Sequence, residues 1–149
     1  MGRLWVVIAM TFMLGCDDTA GEGQEVAERV ATAWGQAYFN YDFQRAAKYV
    51  TSESNRWLSF AASNIYQSDV DLLREQEEGV SVEVDDYCEL DDSTAEVILT
   101  VRNFLQRDTI GRAGRFIDEA GYRVTVVRRE GRSMVRMEGL PRSEKHSRD

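Results

Sequence analysis

Residues 80–106, VSVEVDDYCELDDSTAEVILTVRNFLQ, alternate apolar and polar side chains with a period of two. Alternation of this kind belongs to strands with one dry and one wet face. In the first half Val80, Val82, Val84, Asp86, Cys88 and Leu90 share a face, and Asp91-Asp92-Ser93 is a turn. In the second half Val97, Leu99 and Val101 share a face that Asn103 continues. Downstream, residues 115–129 predict a third strand, interrupted near Glu119-Ala120-Gly121, with Tyr122 opening the face of Val124 and Val126. Glu130-Gly131 forms a tight turn into a fourth strand over 132–138.

Upstream of Gly79 the period is helical instead. Val26, Val30, Ala33, Trp34, Ala37, Tyr38 and Tyr41 recur every three or four residues, the spacing of one helix face. Asn40-Tyr41-Asp42 interrupts this helix, and Asp42 is placed to cap a short second one over 43–50. Thr51 or Ser52 caps a third over 53–65, and helix runs on or restarts before Gly79. Helices followed by a four-strand antiparallel meander define an α+β domain whose helices cover one face of the sheet.

The first 24 residues are of another kind. A short basic start, Met1-Gly2-Arg3, precedes the uncharged apolar run 4–14, which has signal-peptide length and is too short to span a bilayer comfortably. Met13-Leu14-Gly15-Cys16 follows and resembles the bacterial lipobox, in which a cysteine is acylated and becomes the new N-terminus. The resemblance implies a signal peptide over 1–15, palmitate-type lipid on Cys16, and attachment to a membrane of the bacterial cell envelope. The rivals are a secreted soluble product, for which Asp18-Thr19-Ala20 is a poor cleavage site, and an uncleaved anchor. Asp17 fits inner-membrane retention or surface display, and the leaflet stays open. Residues 16–24, small and acidic, read as a flexible tether, 25–139 as the folded domain, and 140–149 as a polar tail. With Cys16 lipidated, Cys88 is the remaining thiol and reads as a buried apolar residue.

The opening helix (VAERVATAWGQAYFNYD), the short helix (FQRAAKYV), the capped third (TSESNRWLSF) and the closing hairpin (VTVVRREGRSMVRMEG) together resemble a nuclear transport factor 2-like domain. That resemblance, over about residues 25–139, implies a cone-shaped α+β fold. A curved sheet would wrap the long helix and leave a pocket at the open end. It also connects the chain to small bacterial lipoproteins with domains of uncharacterised function, and to isomerases that use an Asp as base.

Several chemistries are disfavoured by composition. A formal charge of −8 repels phosphates and argues against nucleic acid. The single histidine, His146, lies in the tail, which leaves no serine or cysteine dyad and no histidine metal site. No cofactor is implied. Between residues 69 and 96 twelve acids face Arg74 alone, without the glycine and ligand spacing of a calcium loop. From 102 to 136 nine arginines meet four acids. Cross-strand ion pairs on the wet face are the plain account. The sharper one is that Arg102, Arg123, Arg129 and Arg136 dock an acidic partner or a second copy of the domain through the sheet.

Parity places Asp86 and Asn103 on apolar faces. Together with Tyr122, Trp34 and Tyr38 they are the candidate pocket residues, polar groups in an apolar wall. Core packing is the plain alternative for the aromatics, as an outward turn at a bulge is for Asp86. The favoured reading is a membrane-anchored, non-enzymatic module for a small apolar ligand or a protein partner. Its rivals are an isomerase- or hydrolase-like enzyme with Asp86 as base, and a structural envelope lipoprotein acting through its charged sheet.

Overall fold

A computed structural model describes residues 17–106 and 114–144, with side chains from residue 21 onward. The leader, Cys16 and His146 lie outside the described residues. The chain forms α1 (Asp17–Phe39), α2 (Phe43–Ala46), two single 3-10 turns (Ala47–Tyr49 and Ser52–Ser54), α3 (Asn55–Ser63) and α4 (Gln67–Arg74). Then come β1 (Ser81–Asp91), β2 (Thr94–Gln106), β3 (Arg115–Arg129), β4 (Arg132–Arg136) and the two-residue β5 (Ser143–Glu144). The strands pair antiparallel in the order β1-β2-β3-β4, and β5 joins β3. Helices packed on an antiparallel meander are the α+β arrangement expected from the period switch at Gly79. They are also the arrangement that the nuclear transport factor 2-like resemblance implies.

α1 starts at Asp17, so residues 17–24 are helical where a tether was expected. Residues 21–25 are all exposed, so these turns project from the body. The buried stripe is also rotated from the expected one. Ala27, Ala31, Trp34 and Gly35 are buried, while Val26, Val30 and Ala33 are half-buried. Small side chains win this face because the helix lies close on the sheet. A Cβ on Gly35 would stand 3.2 Å from Leu99 Cδ1 and 3.3 Å from Val82 Cγ1.

The end of α1 is a Schellman turn built on a tyrosine. Asp42 N donates to Ala37 O at 2.9 Å and Tyr41 N to Tyr38 O at 3.0 Å, with Tyr41 at φ 60°. A bulky residue in this region costs roughly 1–2 kcal/mol. Here the Tyr41 hydroxyl donates to Leu105 O at 2.9 Å, which ties the turn to β2. Asp42 caps α2 as expected, accepting from Arg45 N at 3.2 Å. Neither Thr51 nor Ser52 caps α3, which starts after Ser54. Thr51 and Ser54 are instead buried hydroxyls 2.6 Å apart, and Ser54 Oγ accepts from Met137 N at 2.8 Å. These bonds pin the helical layer to the sheet beside β4, where Thr51 N donates to Val135 O at 2.9 Å.

Two irregularities reset which side chains face the helices. On β1 the pairing shifts between Val84 and Asp86, so Asp85 is an extra residue. Val82 and Val84 stand opposite the buried Val101 and Leu99, and after the shift Tyr87 stands opposite Val97. Asp86 and Cys88 therefore turn to the exposed face, which for Asp86 is the outward turn at a bulge named above and for Cys88 corrects the expectation of a buried apolar residue. On β2, Asn103 takes φ 56°, a conformation asparagine tolerates, and Phe104 turns inward in its place. β3 is not broken at residues 119–121, since all three keep partners on β2. Its inward face nevertheless moves from Ala120 to Ile117 opposite the Asn103 bend. The fourth strand follows a two-residue turn with Glu130 at φ 53° and Gly131 at φ 73°, as the hairpin twist demands.

Candidate functional site

At the C-terminal end of α1 the bent part of the sheet, α2 and α3 enclose a pocket of about 230 Å³. Tyr38, Phe39, Tyr41 and Phe43 supply one wall; Phe104, Leu105, Gln106 and Tyr122 supply the opposite one. Phe60, Ala61, Asn64 and Ile65 border it from α3 and the residues after it. The aromatic rings hold one another. Phe39 packs on Tyr122 at 4.7 Å between centroids and on Phe104 at 5.2 Å, while Tyr38 meets Phe43 edge-on at 5.5 Å. Offset and edge contacts of this kind stiffen a wall beyond the effect of buried area alone.

The last border is a strap. β4 ends at Arg136, the chain leaves the sheet, Leu140 and Pro141 line the pocket, and β5 returns to β3 with Tyr122 opposite Ser143. Arg123 Nε holds Glu144 Oε1 at 2.7 Å, which fastens the returning end. The polar tail expected from residue 140 is thus structured as far as Glu144. Because two strand residues and one exposed ion pair are a weak hold, the strap should open without global unfolding. Glu144→Gln is expected to leave the melting temperature unchanged while speeding amide exchange several-fold over residues 139–144. Uniform acceleration across β3 as well would show that the strap is no separate unit.

The pocket's lining includes no charged side chain among the described residues. Tyr41 Oη donates to Leu105 O and Asn64 Nδ2 to Phe60 O. The hydroxyl of Tyr38, by contrast, makes no hydrogen bond within the described residues. Burial, with the nearby phenols of Tyr41 and Tyr122 adding to it, raises the Tyr38 pKa well above its ordinary value. The group therefore stays protonated and is a donor throughout the physiological range.

Of the five residues expected in a pocket, Tyr38 and Tyr122 line it. Trp34 stands behind the wall, stacked on Tyr38 at 5.1 Å. Asp86 does not reach it. The bulge at Asp85 turns it outward at the edge strand, where its Oδ1 accepts from Tyr87 N at 2.8 Å. Asn103 is also excluded by its own bend. Its carbonyl accepts from Gln76 Nε2, and its Nδ2 donates to Glu78 Oε2 at 3.2 Å. Phe39, Phe43 and Phe104 were missed. The density of aromatics over residues 38–43 was the available signal, and an asparagine in a strand beside Phe104 was a weaker one.

The four arginines of the expected docking face each hold a carboxylate of their own chain. Arg102 meets Glu83 at 2.8 Å and Glu119 at 3.7 Å, and Arg123 meets Glu96 at 3.1 Å besides Glu144. Arg129 holds Glu53 at 2.6 Å and Arg136 holds Glu138 at 3.4 Å. The neighbouring carboxylates raise the pKa of Arg102 and Arg123. The Arg102 and Arg123 pairs run between neighbouring strands. Cys88 is an exposed free thiol on that face. A second groove, of about 350 Å³ beside the start of α1, is bordered by Glu22, Glu89, Asp91 and Asp92. Among the described residues no cluster of side chains could hold a metal ion, and no helix is long and apolar enough to cross a membrane.

No family model and no curated protein matches the chain. A solved structure described as an "Ntf2 like protein involved in plasmid conjugation" is 13% identical to it, with a TM-score of 0.43. The match covers 87% of this chain and 50% of that one, so this chain corresponds to about half of that protein's length.

Proposed function

We propose that this protein is a lipoprotein of the bacterial envelope, anchored through acylated Cys16, whose domain is a non-enzymatic binding module for a small apolar ligand. The carrying observation is the aromatic pocket of about 230 Å³ with an uncharged lining. Such a site rewards transfer of apolar surface from water and offers only a few polar groups for orientation. Its titratable groups are phenols, and an exposed Asp86 has no access to a bound molecule, so proton abstraction in this pocket lacks a base. The apolar leader and the Gly15-Cys16 junction support the anchor. α1, with 23 residues, is about 34 Å long, so the pocket lies at the opposite end of the helix from Asp17.

Two measurements test the two halves separately. Cys16→Ser is expected to abolish palmitate labelling and release the protein from the membrane fraction; unchanged labelling and partitioning would end the anchoring proposal. Equilibrium dialysis of the purified full-length protein against naphthalene, with empty detergent micelles subtracted, should show saturable uptake near one molecule per chain. Ala61→Trp, which fills the pocket from α3, should abolish that uptake. Naphthalene uptake that is absent, or equal in the filled variant, rules out a ligand site here.

A further inference from the structure

We infer that the pocket selects neutral bicyclic aromatic molecules of roughly ten heavy atoms that carry a hydrogen-bond acceptor, and that the Tyr38 hydroxyl donates to that acceptor. The inference rests on the proposed pocket function and specifies its ligand.

Size comes first. An apolar protein cavity of about 150 Å³ holds one benzene, so about 230 Å³ suits a fused pair of rings. Shape follows from the walls. Phe39, Phe104 and Tyr122 present ring faces and edges at centroid separations of 4.7 to 5.7 Å from one another, surfaces that favour a flat ring over a flexible acyl chain. Charge follows from the lining. No arginine, lysine or histidine lines the pocket among the described residues, so a carboxylate would find no cation to pair with there.

Polarity is set by Tyr38. It is half-buried at the pocket wall, backed by Trp34 and flanked by Phe43, so its ring is fixed. Its hydroxyl has no partner among the described residues, whereas Tyr41 already donates to Leu105 O. A carbonyl or ether oxygen on the ligand would pair with this hydroxyl at little cost in order, because two sides of the ring are already packed.

The test compares three bicyclic probes by equilibrium dialysis with the full-length protein, under conditions where naphthalene uptake is established. Coumarin supplies the acceptor, naphthalene lacks it, and 1-naphthoate carries a charge. Tyr38→Phe, checked for an unchanged melting temperature, is expected to weaken coumarin about five- to ten-fold and to leave naphthalene within two-fold. Naphthoate should bind the wild type more weakly than coumarin. Equal loss for coumarin and naphthalene, no loss for coumarin, or preference for naphthoate would each overturn the ligand class while leaving the pocket itself intact. Failure of all three probes, including naphthalene, would overturn the pocket function as well.

Discussion

Asp69→Ala is expected to lower the free energy of unfolding by about 3 kcal/mol, measured by urea denaturation. Asp69 is fully buried at the third position of α4, where a carboxyl is favoured by the helix dipole. One oxygen accepts from Tyr66 N at 3.0 Å and closes the capping box; the other accepts from Gly114 N at 3.3 Å. Alanine would leave both backbone donors stranded, and each stranded buried group costs about 1–3 kcal/mol. Asp69→Asn keeps one acceptor oxygen, so it should recover about half of the loss. The two bonds join α4 to the start of β3, elements 45 residues apart in sequence. A change below about 0.5 kcal/mol for Asp69→Ala would mean that water replaces the carboxyl and that this link is not structural.

The second large effect concerns the back wall of the pocket. Trp34 is 2% exposed, the largest of the fully buried side chains, and it supports Tyr38 by stacking. Trp34→Ala should cost about 3–5 kcal/mol through lost burial and a cavity that a sheet and a helix cannot collapse to fill. Trp34→Phe should cost far less, under about 1.5 kcal/mol, although it too removes volume. The reason is the indole Nε1–H, which is buried without a hydrogen-bond partner among the described residues. Phenylalanine discards that desolvated donor, and the gain offsets part of the lost packing. Equal destabilisation by Phe and Ala would show that the indole nitrogen has a partner after all.

The two irregular strand positions explain why the candidate site was only half legible. Alternation assigns faces by counting, and an inserted residue reverses every assignment beyond it. Asp86 and Cys88 follow the bulge at Asp85, so counting from Val84 puts both on the wrong side. Asn103 follows Val101 correctly by count, yet its left-handed backbone hands the inward position to Phe104. On α1 the error was one of rotation. Valines and aromatics mark the most apolar stripe, but alanines and Gly35 occupy the contact line because the sheet approaches too closely for branched side chains. Tyr38 and Tyr122 were legible because each sits where helix or strand period is undisturbed.

Local patterns, read in order along the chain, were enough to determine that helices precede an antiparallel meander, that its turns fall near residues 91–93 and 130–131, and that Asp42 starts a helix. Those features depend on hydrogen bonds and side-chain periods within a few residues, and a sequence displays them directly. Only the assembled structure decided that Arg102 and Arg123 pair with acids on neighbouring strands, that residues 140 and 141 close over aromatic rings, and that Asp86 faces water. Each of these depends on which distant segments meet and on a one-residue shift in how two strands pair, and packing settles such shifts at an energy too small for local sequence to signal.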